Sequence, residues 1–470
     1  MKYLLSRKWF RRLCQCLLAV ATLVILLYAA ANWHGANMRR DVISRMKSEG
    51  QPVQLSDVVP HTMPPDAANF AMIPLLAEAR NEWWENKPGS NHPGRPASSA
   101  ISDAPLRNVG PRYTFRREDG DEAFLFWKKG LRLEGDPAAC LAAYDAKLET
   151  VLPVLRAGLA RPETVSPTLS RIFQKDVLNI SSGFAMSLNS LVPAFSFRAE
   201  LAIRARQPDA VFESVMIPLR LTETIGAEEV LISAMWRGMA FNRFRPTLGK
   251  ALEQGGMSRE QITAIRSRLS LWDPRADYLR ALDLETAWVL PIHDSFQKKR
   301  GVFPYLHAGG WNFFDAASHV LPAGWIDRSA ALLIHQRLDL REGLTQAQDI
   351  KAWWDACVAP PKNTKKPTFL DGPATSTSLN NAFKGACDQT IIRHLAILAC
   401  DLELHRLEHG RYPADLADLP GDSKIDPLTH EPFRYRIEGE RPVIYSVGTD
   451  LKDDGGLPKK KGKPPLDVVW

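Results

Sequence analysis

His405-Arg406-Leu407-Glu408-His409 reads H-x-x-E-H, the inverted form of a zinc-peptidase pattern. On a helix the two histidines, four residues apart, share a face, as two zinc ligands would have to. Gly410 follows as a helix stop. Basic side chains in a last helical turn are also what the helix dipole favours, so the pair is expected to be structural. His293-Asp294-Ser295 contains the residue types of a hydrolytic triad. Adjacent residues cannot assemble that geometry, which is built across a fold. The chain has no G-x-S-x-G, P-loop or G-x-G-x-x-G motif to support acyl transfer, phosphoryl transfer or dinucleotide binding.

The densest aromatic stretch is 305–325, with Tyr305, His307, Trp311, Phe313, Phe314, His319 and Trp325. Three readings fit it. Tyr305, His307, Trp311, His319 and Trp325 could wall a ligand groove, since pockets are largely apolar with a few polar groups. The rings could instead rest on a membrane interface. The plainest reading is helix–loop packing in the core, and Trp83-Trp84 and Trp353-Trp354 are expected to be core as well.

The elements that would carry these residues are mainly helical. Leu188, Leu191, Val192, Phe195 and Ala199 keep helical spacing, with Pro193 expected to kink or restart the helix. After a break at Gln207-Pro208-Asp209, Val211, Val215 and Leu219 continue the stripe to Gly226, and Val230, Met235, Met239 and Phe241 mark a third helix. Ser258 with Gln261 three residues on predicts a capping box ahead of Ile262, Ile265 and Leu269. These read as solenoid-like helical hairpins without a fixed-period repeat. Phe70 to Trp84 predicts one short amphipathic helix, and 381–409 one long helix. Phe433–Ile437, Val443–Val447 and Leu466–Trp470 predict about three antiparallel strands. The expected class is mainly α, with a small C-terminal α+β domain.

The charge is unevenly placed. The chain of 470 residues has 60 Lys+Arg against 53 Asp+Glu, a net +7. Lys2, Arg7, Lys8, Arg11 and Arg12 supply five of those units with no acid beside them, which leaves +2 for the rest. With no basic stripe interleaved with aromatics, a nucleic-acid partner is excluded. Leu13 to Trp33 follows as an uncharged apolar run, about the ~20 residues that cross a bilayer. The basic flank predicts a single-pass anchor in the inner (cytoplasmic) membrane, with a cytoplasmic N-terminus and the bulk in the periplasm. A signal peptide cleaved at Ala29-Ala30-Ala31 is the competing reading, but the run exceeds a typical h-region of ~7–15 residues. The expected organisation is a basic tail (1–12), the anchor (13–33), a juxtamembrane helix and Pro-rich linker region (34–122), a helical domain (123–358), a linker (359–380) and the α+β domain (381–470).

Past the anchor lie Cys140, Cys357, Cys387 and Cys400. Cys387 and Cys400 fall on one expected helix, too far apart to bridge. Either Cys140 pairs with one of them and Cys357 with the other, or all four are free thiols.

The stretch 391–470 resembles the soluble part of the type II secretion major pseudopilin. The matching residues are Gly410-Arg411-Tyr412-Pro413 at a helix end, Asp426-Pro427, Pro432-Phe433-Arg434-Tyr435, Tyr445-Ser446-Val447-Gly448-Thr449-Asp450, Gly455-Gly456 and Asp467-Val468. With the anchor, the Pro-rich entry ending in Asn69-Phe70 and the helical middle, the chain resembles membrane-anchored bacterial proteins that carry this tail and have no assigned activity. The resemblance implies a calcium site at Ser446, Asp450, Asp453 and Asp467. Lys459, Lys460, Lys461 and Lys463 fall where the family keeps acid and oppose a divalent ion. The pseudopilin processing signal is missing from the apolar run, and some 350 residues part that run from the later helix. The sequence favours a non-catalytic binding or scaffold protein of the cell envelope with a protein partner. An accessory component of a type II secretion or pilus-like system, and an envelope enzyme with its site in 305–325, stand as alternatives.

Overall fold

A computed structural model describes residues 2–58, 63–85, 120–166, 183–298, 322–359, 376–449, 451–456 and 467–470. The helices are α1 (Lys2–Ser48), α2 (Pro74–Glu85), α3 (Gly120–Gly130), α4 (Pro137–Lys147), α5 (Leu152–Gly158), α6 (Gly183–Arg204), α7 (Pro208–Gly226), α8 (Leu231–Gln254), α9 (Arg259–Ser270), α10 (Pro274–Lys298), α11 (Ala323–Gln346), α12 (Ile350–Val358) and α13 (Ser376–His409). The strands β1 (Arg434–Glu438), β2 (Arg441–Ser446) and β3 (Val468–Val469) form one antiparallel sheet in that order. The protein is thus mainly helical, with one long apolar N-terminal helix and a small three-stranded sheet near its C-terminus.

The helical stripes read from the sequence face inward. Leu188, Leu191, Val192, Phe195 and Ala199 on α6, and Val211, Val215 and Leu219 on α7, are buried, and α6, α7 and α8 pack on one another. Pro193 does not end α6, although its ring removes a ladder hydrogen bond. Its neighbours Leu191, Val192, Ala194 and Phe195 are all buried and hold the two halves in line. On α8 the expected stripe slips: Val230 is the N-cap, and Met239 faces solvent while Ala240, Phe241 and Phe244 are buried.

The capping box forms as expected. Ser258 Oγ accepts from Gln261 N at 3.3 Å, and Ser258 N donates to Gln261 Oε1 at 2.9 Å. Ser258→Ala removes one partner of an orphan helix donor, so it should lower the unfolding free energy by about 1 kcal/mol. An unchanged denaturation midpoint would contradict this.

Two helix boundaries differ from expectation. Phe70–Met72 is a separate 3₁₀ turn, and α2 starts at Pro74. Proline disfavours the α region for the residue before it, and Ile73 is extended at φ −62°, ψ 145°. The later helix begins at Ser376, so 376–380 are helical where a linker was expected; Ser and Thr suit a helix start. Residues 360–375 lie outside the described residues.

α13 is the shared wall of the molecule. It packs on α8, α9, α10 and α12, and its other contacts include β2 and β3. One apolar cluster contains Phe70, Phe195, Ile262, Leu344, Phe383, Leu395 and Ile444, so packing continues across the composition break at 359–380. Trp470 closes the sheet against this body: its N–H donates to Ile444 O at 3.1 Å, while Arg245 Nη1 reaches Val469 O at 2.7 Å. Trp353 is fully buried, its indole donating to Phe383 O at 3.1 Å.

All six cysteines are free thiols, so neither expected pairing forms. Cys140, Cys357, Cys387 and Cys400 are buried. Cys140 Sγ points to Glu134 O on α4's approach, and Cys387 Sγ to Ile350 O at 3.7 Å. With Ile350 facing Cys387, Cys357 lies seven residues, or about 10 Å of helix, further along α12. Burial pushes the Cys357 thiol up to about 12.

The Pro-rich entry is fastened by one side chain. Asn69 Oδ1 accepts from Ala71 N at 3.1 Å and Val165 N at 3.0 Å, while its Nδ2 donates to Val165 O at 2.8 Å. This holds the entry against 163–165 and buries Phe70 beneath the Arg220 guanidinium, 4.7 Å from the ring centroid.

Candidate functional site at the junction of the apolar helix and the body

α1 is uninterrupted from the apolar run into the body. The large apolar side chains from Trp9 to Leu27 are mostly exposed, as if awaiting another solvent, and the helix is long and apolar enough to cross a membrane. Beyond Trp33 the composition becomes amphipathic. Met38, Val42 and Met46, spaced by four, meet Ala330, Ala331, Ile334 and Leu338 of α11 and Val289 and Leu290 of α10.

The two helices touch backbone to backbone at the start of this seam. A Cβ placed on Gly35 would lie 1.9 Å from Gly324 O, and one on Gly324 would lie 2.2 Å from Ala31 O. Only glycine fits either position. Asn32 Oδ1 accepts from Gly324 N at 2.8 Å and fixes the register.

Two arginine clamps then follow along α1. Arg39 grips Asp294 with both fork nitrogens, at 2.6 Å and 3.0 Å, and reaches Asp327 Oδ1 at 3.0 Å. Gln297 Nε2 shares Asp327 Oδ1 at 2.9 Å. The Asp294 hydrogen bonds hold the Arg39 guanidinium above its ordinary range. One turn and a half later, Arg45 Nη1 donates to Asp339 Oδ1 at 2.9 Å and to His335 Nδ1 at 3.2 Å, and its Nε to Glu49 at 2.6 Å. Because the guanidinium can only donate, His335 accepts through an unprotonated Nδ1.

Burial is the main cause that lowers His335, with Arg45 adding to it and Asp339, Asp41 and Glu49 opposing. Burial also lowers His293, next to Arg337, Arg39 and Asp294. Both are therefore neutral in the folded state where the unfolded chain, at 6.5, already takes up protons. Their contribution is fully present above that value and is lost as pH falls through it. The melting temperature should drop between about pH 7.5 and 5.5. His335→Gln keeps an acceptor for Arg45 and cannot titrate, so its drop should be smaller. Equal drops in the two proteins would refute the assignment.

The residues singled out by type have other work. Asp294 serves the Arg39 clamp, and His293 Nδ1 faces Val289 O at 2.8 Å, so no triad forms. His405 and His409 stack at 4.1 Å, their Nδ1 atoms on Arg411 O and His405 O, while Glu408 pairs with Arg259 at 2.9 Å. Tyr305, His307, Trp311 and His319 lie outside the described residues, and Trp325 is half-buried on the first turn of α11. Trp83 and Trp84 have no described side chains.

In the loop after β2, Ser446 Oγ donates to the buried Asp426 at 2.6 Å. Burial raises Asp426. Asp453 accepts from Tyr445 Oη at 3.0 Å and Gly455 N at 2.9 Å, and pairs with Arg434 at 3.3 Å. Asp467 caps Asp454 N at 3.3 Å and Gly456 N at 2.6 Å. Asp450 lies outside the described residues. Among the described residues no three His, Cys, Asp or Glu side chains converge as a metal site would require. As arranged, Ser446, Asp453 and Asp467 direct these oxygens to protein groups.

The junction was not legible as a site because its partners come from distant sequence. A glycine in α1 and an arginine just past the apolar run give no signal by themselves. No family model, curated protein or solved structure matches the chain.

Proposed function

We propose that this chain is a single-pass, membrane-anchored, non-catalytic binding or scaffold protein of the bacterial cell envelope, with its N-terminus cytoplasmic and its bulk in the periplasm. The observation that carries the reading is the continuity of α1: its first part offers apolar side chains outward, and its second is locked into the body by glycine contact and two arginine clamps. Such a joint positions a body at a membrane and performs no chemistry of its own. The packing of α6 on α7 and of α7 on α8 supports a reading of stacked helical hairpins that offer a solenoid-like surface to a protein partner. In-cell crosslinking of the full chain should recover that partner in the membrane fraction. A chain released by alkaline carbonate, or crosslinking that returns nothing above background, would count against the proposal.

A second reading is favoured by the small sheet lying on α13, the arrangement implied by the pseudopilin resemblance. In it the protein is an accessory component of a type II secretion or pilus-like system. Deletion that leaves secretion intact would remove it. Calcium belongs to this reading and would have to take Asp453 from Arg434. Calcium that raises the melting temperature would support it, and no shift at millimolar concentrations would exclude it.

A further inference from the structure

We propose that the membrane is contacted twice: by α1, and by a second surface made of Ala323, Trp325 and Ile326 on α11 at the level of Trp33, which lies in the lipid headgroup layer. This rests on the reading of α1 as a bilayer span.

The argument is one of depth. Leu13 to Trp33 is 21 residues, which at ~1.5 Å each is about the ~30 Å of a hydrocarbon core. Ala31 to Trp33 then stand at its outer edge. Gly324 is in backbone contact with Ala31 and Asn32, and Asn32 Oδ1 accepts from its N–H. A contact this close leaves α11 no freedom to start further out, so its first turn shares that depth.

The chemistry of the turn matches. Trp33 is 69% exposed, and Ala323, Trp325 and Ile326 are partly exposed. Indoles favour the boundary where one end of the ring is apolar and the other wet. No charge falls in 322–326. The first, Asp327, is paired with Arg39, which it shares with Asp294, and Arg328 follows at the height of phosphates. From there α11 runs alongside α1 away from the membrane, since Asn32 meets Gly324, Arg39 meets Asp327 and Arg45 meets Asp339. The partner is the lipid interface itself, not a soluble ligand.

The test uses the full chain in nanodiscs. Cys14 and Cys16, the exposed thiols, are replaced by alanine, and one nitroxide is placed by Val20→Cys, Trp325→Cys, Arg328→Cys or Lys351→Cys. Collision with oxygen is compared with collision with a water-soluble nickel chelate. Oxygen should dominate at 20 and 325, fall at 328, and give way to nickel at 351, which lies beyond the far end of α11. A ratio at 325 equal to that at 351, with 20 still in lipid, overturns the second contact and leaves the anchor standing. Nickel dominating at 20 overturns the anchor reading, and the inference with it. Should Trp325→Cys fail to fold, Ala323→Cys reports from the same turn.

Discussion

Gly35→Leu should free α1 from the body. The new side chain would start 1.9 Å from a backbone oxygen, Gly324 O, which cannot swing aside as a flexible side chain can. Overpacking typically costs about 1–3 kcal/mol. Here the effect should reach the top of that range, because separating the helices also breaks the Asn32 contact and loosens both arginine clamps. The measurement is a pulsed spin-label distance between position 36, exposed on α1, and position 351. The native chain should give one narrow distribution, and Gly35→Leu a broad one with a lower melting temperature. His34→Leu, next door and exposed, is the control and should change neither. A narrow distribution in Gly35→Leu would mean that the glycine contact does not hold the joint.

Arg220→Ala should cause the largest loss of stability away from that joint. Arg220 is fully buried. Its Nη2 donates to Arg161 O and Glu163 O, both at 2.8 Å, and its Nη1 to Glu223 at 2.6 Å. Burial pulls its guanidinium down to about 10, still charged near neutrality. Alanine strips donors from the segment 161–165 that Asn69 also fastens and leaves Glu223 with Arg268, at 3.7 Å, as a poorer partner. Removing one side of a buried pair costs about 3–5 kcal/mol. The residual Arg268 contact places the expected loss at the lower end, about 3 kcal/mol. Arg220→Lys keeps the charge but loses the planar fork, so it should fall between the two. Unfolding curves and protease cleavage within 160–166 would read both variants. A Lys variant as weak as the Ala variant would show that geometry, rather than charge, is what matters.

The contrast between α6–α7 and these arginines explains what could be read beforehand. Leu188, Leu191, Val192 and Phe195 repeat at the helical period, so the sequence alone shows which face is buried. Ser258 and Gln261 are three apart, and local spacing again suffices. Arg198 and Arg220 carry no such signal, because a charged residue is ordinarily read as solvated. Arg198 is nonetheless buried, gripping Asp145 at 2.7 Å and 2.9 Å and Ser214 at 2.8 Å. Their acceptors come from residues up to 59 positions away or from main-chain carbonyls that have no sequence signature. Gly35 and Gly324 are more remote still. A glycine marks a close approach only after its counterpart is known. The apolar run could be read as a span, whereas what holds its far end could not.

α1 has no hinge between its apolar part and the stretch clamped by Arg39 and Arg45. Its orientation is therefore shared with everything built on α10 and α11. Spans longer than the local hydrocarbon layer tilt to hide their excess length. In a protein with a flexible tether that tilt would be absorbed at the linker. In this one a thinner bilayer would swing the whole body toward the membrane plane, and a thicker one would stand it upright. Where α1 spans a bilayer as proposed, the lipid composition around it would thereby set which flank of the helical body faces outward.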